Sequence, residues 1–195
     1  MTIDTTTVEQ QRRDREAIVD ISIRYATGVD RRDWTLYASC FTDPCEFDFT
    51  SFGPRPVSTI GAHEWADNVR GVNGSFDATQ HLMSNHVITF TSDDAAIGIN
   101  ELIAQHWFTP ETMEALGHPG EVSWCTLGGH YTNRYVRTLD GWKIARCELT
   151  VRWRTGNFGV FAVARARPDA ARPDPKGPDP EGPDPGRPDV SRPSR

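Results

Sequence analysis

The chain lacks long apolar runs and basic runs, and these absences exclude several classes of protein. No segment approaches the roughly 20 apolar residues that a membrane-spanning helix needs. The polar segment 1–10 also lacks the apolar stretch of a secretion signal. No run of Lys and Arg exceeds two residues and the formal net charge is −6, so we expect no nucleic-acid partner. Together these features predict a soluble cytoplasmic protein without a membrane partner.

Cysteine pairs of the kind that hold zinc are also missing. The four cysteines form no C-x-x-C motif, which makes a structural zinc site improbable. In a reducing compartment they are expected to be small buried thiols. The histidines form no H-x-H pair, and we predict neither a metal nor a cofactor.

The C-terminal segment has few apolar side chains and a recurring proline. From Pro168 to Pro193 a proline stands at every fifth position, and all but the last are followed by Asp. Such a composition cannot bury a core. Residues 167–195 are therefore predicted to be a disordered tail with polyproline II character, for which a solubilising role is favoured over partner binding. Residues 10–166 are predicted to form one folded domain, after a flexible segment 1–9.

Apolar residues recur at helical spacing near the N-terminus. Ile18, Ile21, Tyr25 and Val29 form one apolar stripe, which predicts a long first helix. A second helix is predicted over residues 33–40 and a third after residue 61. In the second helix, the side chains expected to face inward are those of Trp34, Tyr37 and, just beyond its end, Phe41.

The rest of the domain has the alternation and composition of β-strands. Strands are predicted over residues 45–50, 81–91, 95–108, 124–137 and 142–153. Ser-Asp-Asp at 92–94 and Leu-Asp-Gly at 139–141 predict two hairpin turns. Gly128 and Gly129 predict a bulge inside a strand. Helices followed by antiparallel strands predict an α+β fold, in which a strongly curved sheet wraps on three N-terminal helices around a pocket.

Four short motifs, taken in order, give a resemblance to a known family. They are IRYATGVDRRDW at 23–34, Gln-His at 80–81, GGHYTNRYVR at 128–137 and GWKI at 141–144. Through them, residues 10–157 resemble the SnoaL-like branch of the nuclear transport factor 2-like superfamily. The resemblance implies a cystatin-like conical barrel. Enzymes of this branch include scytalone dehydratase, hexachlorocyclohexane dehydrochlorinase and bile acid 7α-dehydratase.

The resemblance implies a set of catalytic residues. Asp30 and His81 fall where these enzymes keep an Asp–His dyad, Tyr25 matches the catalytic tyrosine of the bile acid dehydratase, and Arg152 falls near its arginine. The dehydrochlorinase has a lysine where this chain has Tyr25. Scytalone dehydratase has a tyrosine where this chain has Val29. These departures argue against both of those substrates.

The residues alone leave alternatives open at each catalytic position. Tyr25 could be an ordinary core tyrosine whose hydroxyl finds a partner. Asp30 could cap the second helix, which spacing alone favours, whereas the resemblance favours the dyad. His81 and His86 lie five residues apart on one predicted strand, so they are expected on opposite faces, with His86 the alternative to His81.

Five further residues are predicted to bind substrate. The resemblance implies that Asn100 corresponds to the second histidine of scytalone dehydratase and Phe49 to one of its substrate-binding tyrosines. His106 and Trp107 follow on the strand that contains Asn100. Arg137 could bind an anion in the pocket, although a surface ion pair is an equal alternative for this residue.

The predicted function is that of a cofactor-independent lyase of the dehydratase type. Its substrate would be a hydroxylated, mostly apolar ring compound such as a steroid or polyketide, and Asp30 and His81 would relay the proton. The alternatives are an isomerase or cyclase with the same relay, and a non-catalytic module for small-ligand binding or assembly. A homo-oligomer, dimer or trimer, is also expected, because an open sheet rich in Trp and Phe has a convex face to cover.

Overall fold

One curved six-stranded sheet forms a layer of the fold, and the N-terminal helices pack on its inner face. The computed structural model describes residues 5–167. Within that range the helices are α1 (Thr5–Asp30), α2 (Trp34–Ala38), α3 (Ala62–Asn73), α4 (Pro110–Ala115) and α5 (Val160–Ala166). The strands are β1 (Phe41–Asp48), β2 (Ser58–Ile60), β3 (Ala78–Ser92), β4 (Ala95–Trp107), β5 (Trp124–Thr138) and β6 (Gly141–Gly156).

The strand order is β2-β1-β6-β5-β4-β3, so the sheet is open, with β2 and β3 at its edges. β3 to β6 form an antiparallel meander, and the Asp140-Gly141 turn joins β5 to β6 as predicted. β1 and β6 run parallel, so the sheet is not entirely antiparallel as predicted. The α+β class is confirmed, and the sheet is curved but not closed.

Several local predictions differ from the structure. Phe41 begins β1 instead of following the second helix, and β1 therefore starts four residues earlier than predicted. The short elements β2, α4 and α5 were not predicted, because elements of three to seven residues carry little periodicity. The N-cap of α2 is Asp33, whose Oδ1 accepts from the Leu36 backbone N–H at 2.8 Å. Asp30 is thus not the cap.

The predicted bulge at Gly128 and Gly129 is present. The register of the β5–β6 ladder shifts between these two residues. A Cβ at Gly129 would lie 1.9 Å from the Thr150 carbonyl oxygen, and a Cβ at Gly128 would lie 2.2 Å from the Trp153 indole. The backbone at Gly129 and the Trp153 indole at Gly128 approach so closely that only glycine fits at these two positions.

A second bulge, which the sequence did not predict, lies in β3. Asn85 has a φ of 52°, and the β3–β4 register shifts between Ser84 and Val87. The inner face lies at odd positions such as His81 before the bulge, and the extra residue moves it to the even positions that follow, where Ile88 is buried. The prediction that His81 and His86 lie on opposite faces is therefore wrong.

The apolar stripe of α1 packs into the core as predicted. Ile18, Ile21, Tyr25 and Val29 are each at most 5% exposed, and they lie between the sheet and the short helix α2. The outer face of the sheet carries exposed apolar side chains, among them Leu82, Ile97, Ile99, Ile103 and Trp153. A homo-oligomer that covers this face stays a prediction.

Arg167 belongs to the folded domain, although the predicted tail began with it. Its guanidinium donates to the Ser75 carbonyl at 2.6 Å and to the Asp77 carboxylate at 2.9 Å, and the residue is buried. The rest of the predicted tail, residues 168–195, lies outside the described residues. Across residues 5–167, no helix is long and apolar enough to cross a membrane.

Candidate active site

A cavity of about 370 Å³ lies between the helices and the inner face of the sheet. Its wall is mainly aromatic and apolar, and histidine and tyrosine side chains converge in it. The residues that line it include Tyr25, Phe49, Trp65, His81, His106, Tyr131 and Phe161. This volume lies in the range of pockets that hold small organic molecules. The cavity is therefore the candidate active site.

The last residue of α1 meets the first half of β3 at this cavity. The Asp30 Oδ1 lies 2.7 Å from the His81 Nδ1, and the His81 backbone N–H donates to Oδ2, also at 2.7 Å. The Thr79 hydroxyl donates to Oδ1 at 2.9 Å. The side chains of His81 and Asp30 are 8% and 22% exposed. Asp30 is thus held in one orientation behind His81, which itself lines the cavity.

This geometry assigns different tasks to the two imidazole nitrogens. A carboxylate at Nδ1 favours the tautomer in which Nδ1 carries the hydrogen, which leaves a lone pair on Nε2. An imidazole so placed can accept a proton at Nε2 while the carboxylate offsets the positive charge that develops.

Tyr25 takes part in a group of buried hydroxyls. Its OH lies 2.9 Å from the OH of Tyr131, and the Trp65 indole N–H donates to the OH of Tyr37 at 2.9 Å. The rings of Tyr25 and Tyr37 are 4.8 Å apart. Burial raises the pKa of Tyr25 and of Tyr131 well above the ordinary value, so both phenols remain protonated and able to donate.

A second histidine stands beside the dyad. The ring of His106 on β4 lies 5.4 Å from that of His81, and its Nε2 is 2.9 Å from the Asn73 Oδ1. Burial, with a smaller contribution from His81, lowers the pKa of His106 well below its ordinary value, so the ring is neutral. Its Nδ1 is buried without a hydrogen-bond partner among the described residues.

The structure brings only some of the predicted substrate-binding residues to the cavity. Phe49 and His106 line it. Asn100 is 2% exposed and faces inward on β4, but it does not reach the lining. Trp107 is 43% exposed, because neighbouring residues of a strand point to opposite faces and His106 takes the inner one.

The two predicted arginines lie outside the cavity. Arg137 forms a bidentate ion pair with Asp14, at 2.9 and 2.7 Å, which is the surface alternative that its position left open. The side chain of Arg152 is 57% exposed, and its Nη1 lies 3.7 Å from the Glu101 Oε1. On this geometry neither guanidinium reaches the hydroxyl groups of Tyr25 and Tyr131.

Several cavity residues were not predicted as site residues. Tyr131 lies on the inner face of β5, and the alternation of that strand was a usable signal, since Leu127, Tyr131 and Tyr135 are all buried on it. Arg55 follows β1 in a loop, and Arg165 lies on the unpredicted helix α5. Nothing in the local sequence indicates that these two meet at the cavity. Within the described part of the chain, no group of three or more His, Cys, Asp or Glu side chains could hold a metal ion.

A family model decides the wider relationship. The model of the SnoaL-like domain matches residues 10–148, which is more than half of the chain. The chain belongs to the SnoaL-like family. This confirms the SnoaL-like branch that the sequence motifs resembled.

Solved structures support the assignment. Kfla4162 from Kribbella flavida is 30% identical, with a TM-score of 0.69 over 80% of this chain and 99% of that one. A candidate scytalone dehydratase from Novosphingobium aromaticivorans DSM 12444 is 23% identical, with a TM-score of 0.64 over 77% and 91%. The hexachlorocyclohexane dehydrochlorinase LinA-type3 from Novosphingobium barchaimii LL02 is 22% identical, with a TM-score of 0.60 over 77% and 94%. At these identities the last two show a shared fold alone. A protein from Nostoc punctiforme PCC 73102 with a cystatin-like fold is 14% identical, with a TM-score of 0.53 over 71% and 91%, so the cystatin-like fold is shared as well.

Proposed function

We propose that this SnoaL-like protein is a cofactor-independent lyase of the dehydratase type. Its substrate is a hydroxylated, mostly apolar ring compound, such as a steroid or a polyketide. The observation that carries the proposal is the 2.7 Å contact between Asp30 and the Nδ1 of His81, in the wall of an apolar cavity. Two proteins of the same fold are named as a dehydratase and a dehydrochlorinase, and both names describe elimination reactions. This supports an elimination as the reaction of this protein.

In the first step, Nε2 of His81 removes a proton from the carbon next to a ring carbonyl. Asp30 keeps His81 in the required tautomer and stabilises the imidazolium that forms. The electron pair of the broken C–H bond moves to the carbonyl oxygen, which becomes an enolate. Tyr25 donates a hydrogen bond to this oxygen, and Tyr131, 2.9 Å away, holds the Tyr25 hydroxyl in place.

In the second step, the electron pair of the enolate re-forms the carbonyl and makes a carbon–carbon double bond. The bond between the next ring carbon and its hydroxyl group breaks at the same time. The imidazolium of His81 returns its proton to that hydroxyl, which departs as water. A carbon–carbon double bond conjugated with the carbonyl remains, and His81 is again neutral. The reaction therefore consumes no cofactor, since the proton that leaves carbon is the one that leaves with water.

The wall of the cavity fits a ring system. Trp65, Phe49 and Phe161 offer flat apolar surfaces, and aromatic faces pack well against fused rings. His106 is neutral at the inner wall, where we propose that it contacts the substrate beside His81. Arg152 is left out of this mechanism because it lies outside the cavity.

A screen of hydroxylated ring ketones, read by mass spectrometry, tests the proposed reaction. A dehydratase releases a product that is lighter than the substrate by one water and absorbs as a conjugated ketone. A product of unchanged mass would instead identify an isomerase or cyclase. Saturable binding without any product across the screen would identify a ligand-binding module and contradict the proposed lyase.

Removal of single tyrosine hydroxyls is expected to separate the roles of the buried phenols. Tyr25→Phe should lower kcat by about a hundredfold, because one donor to the developing oxyanion is lost. Tyr131→Phe should lower kcat by about tenfold, because Tyr25 remains but loses the hydrogen bond that orients its hydroxyl group. Tyr135→Phe is the matched control, since Tyr135 is buried on the same strand but bonded to Asn133 and outside the cavity. Equal losses in all three variants would indicate a packing effect and contradict these roles.

A further inference from the structure

Among the described residues, those that line the cavity place positive charge at one end and include no carboxylate to match it. Arg55, from the loop between β1 and β2, and Arg165, on α5, both line it. No Asp or Glu is among the described residues of its lining. Both arginines are exposed, so the cavity opens to solvent at this end. A hollow of about 630 Å³ continues outward from the same two side chains.

These two guanidinium groups have no anionic partner in the described part of the chain. Neither Arg55 nor Arg165 makes an ion pair or a hydrogen bond with another described residue, and the guanidinium of Arg55 lies over the ring of Phe52, 5.8 Å from its centroid. Partial burial, followed by the nearby positive charge of Arg165, lowers the pKa of Arg55. By contrast, Arg137 and Arg167 are neutralised by Asp14 and Asp77.

An aromatic cluster holds this end of the cavity in shape. Phe52, Phe158 and Phe161 pack with ring centroids 5.0 to 5.3 Å apart. The guanidinium of Arg154 lies over the ring of Phe158, 4.1 Å from its centroid. Cations over aromatic faces are kept near apolar surface, where an anion is bound more strongly than in open water.

The cluster is connected to the dyad through two ring contacts. The ring of His106 lies 5.4 Å from that of His81 and 4.6 Å from that of Phe161. Arg165 follows Phe161 by four residues, about 6 Å further along the axis of α5 and on the same side of the helix. These contacts lead from His81, whose side chain is 8% exposed, through His106 and Phe161 to Arg165 at the exposed end of the cavity.

We infer that the substrate of this site carries an oxyanion, a carboxylate or a phosphate, at the end remote from its reacting carbon. Arg55 and Arg165 bind that group at the mouth of the cavity, while the rings fill the apolar interior and reach His81. This inference rests on the proposed function for the identity of the reacting end. It narrows the substrate class from apolar ring compounds to ring compounds with an acidic side chain or a phosphorylated carrier.

Binding of matched naphthalene probes to the full chain tests the inference. The probes are 2-naphthylacetate, its methyl ester and 2-naphthyl phosphate, measured by isothermal titration calorimetry at low ionic strength. We expect the acid or the phosphate to bind about tenfold more tightly than the neutral ester. The ratio of the two anions distinguishes a carboxylate-bearing substrate from a phosphate-bearing one. Equal affinity for the ester and both anions would overturn the inference.

Charge removal assigns the effect to the two arginines. Arg55→Gln and Arg165→Gln should each reduce anion affinity about tenfold and leave ester affinity unchanged. Arg134→Gln, on an exposed arginine of β5 outside the cavity, should change neither. Parallel losses for ester and anions in the Arg55 and Arg165 variants would indicate lost packing and overturn the assignment.

The binding experiment tests the anion site separately from the proposed reaction, so either can fail while the other stands. His81→Ala should keep the preference for anions, because His81 lies at the other end of the cavity. If no ring ketone is dehydrated while the anion preference persists, the proposed function fails and the anion site stands. If neutral and anionic substrates are dehydrated with equal affinity, the anion site fails and the lyase stands.

Discussion

Replacement of His81 by alanine is expected to lower kcat for dehydration by about three orders of magnitude. The variant loses the group that takes the proton from carbon and returns it to the leaving hydroxyl. Its effect on KM should be small, because the aromatic wall that binds the rings is untouched. The measurement is steady-state turnover on a substrate identified by the loss of water, with the appearance of the conjugated ketone as the signal.

Asp30→Asn is expected to lower kcat by about a hundredfold. An amide still fills the space next to His81, but it cannot offset the charge of an imidazolium. The carboxylate also accepts from the Thr79 hydroxyl and the His81 backbone, so a thermal melt must accompany the kinetics. A loss of activity in a variant that melts like the wild type is then chemical in origin.

His86→Ala provides the matched control for the dyad variants. The bulge at Asn85 places His86 on the same side of β3 as His81, yet His86 does not line the cavity. Its turnover should stay within about twofold of wild type, since surface changes away from a site have small effects. Wild-type turnover in His81→Ala would contradict the proposed mechanism outright.

Replacement of Asp14 by alanine is expected to lower the free energy of unfolding by about 3 kcal/mol. The residue is 7% exposed and ties α1 to both β5 and β6. Its carboxylate accepts two hydrogen bonds from Arg137 and a third from the Trp142 indole N–H at 2.9 Å. Its removal leaves the indole N–H without its acceptor and takes from Arg137 its two hydrogen bonds to α1, while the guanidinium keeps its bonds to the Asp94 carboxylate and the Asp93 carbonyl.

Urea unfolding and thermal melts measure the cost of the Asp14 change. For a domain of this size, about 3 kcal/mol corresponds to a fall in Tm of roughly 6–12 °C. Asp20→Ala is the control on the same helix, because the exposed Asp20–Arg24 ion pair contributes less than about 1 kcal/mol. Equal Tm values for both variants would contradict a structural role of the Asp14 network.

The Asp14 contribution should also depend on pH in a defined direction. Hydrogen bonds from Arg137 lower the pKa of Asp14 in the folded protein below its ordinary value of 3.8. The stabilisation is therefore complete above the pKa of the unfolded chain and disappears as the pH falls through the folded-state pKa. The stability gap between wild type and Asp14→Ala should be constant near neutral pH and should narrow below about pH 4. A gap that is the same at pH values near 7 and near 2 would contradict this linkage.

The elements and faces that carry the dyad could be predicted because their signals are local. The apolar stripe of α1 places Tyr25 towards the core, and the alternation of β3 places His81 inward. The same logic should have separated His106 from Trp107, since two adjacent strand residues cannot both face one cavity. The family resemblance then selected Asp30 over its role as a helix cap, and the dyad geometry agrees with that choice.

The sequence by itself determined the first helix with Tyr25 on its inner face, the Asp-Gly hairpin and the glycine bulge in β5, and its resemblance to the SnoaL-like family added the fold and the pairing of Asp30 with His81. Only the tertiary structure decided which distant side chains meet them. The Tyr131 hydroxyl contacts that of Tyr25 although the two residues are 106 positions apart in the chain. Arg165, on the seven-residue helix α5, lines the same cavity as Arg55. The bulge at Asn85 and the outward position of Arg152 also depend on the tertiary structure. Register and long-range packing depend on how whole faces fit together, and no local spacing in a single sequence carries that information.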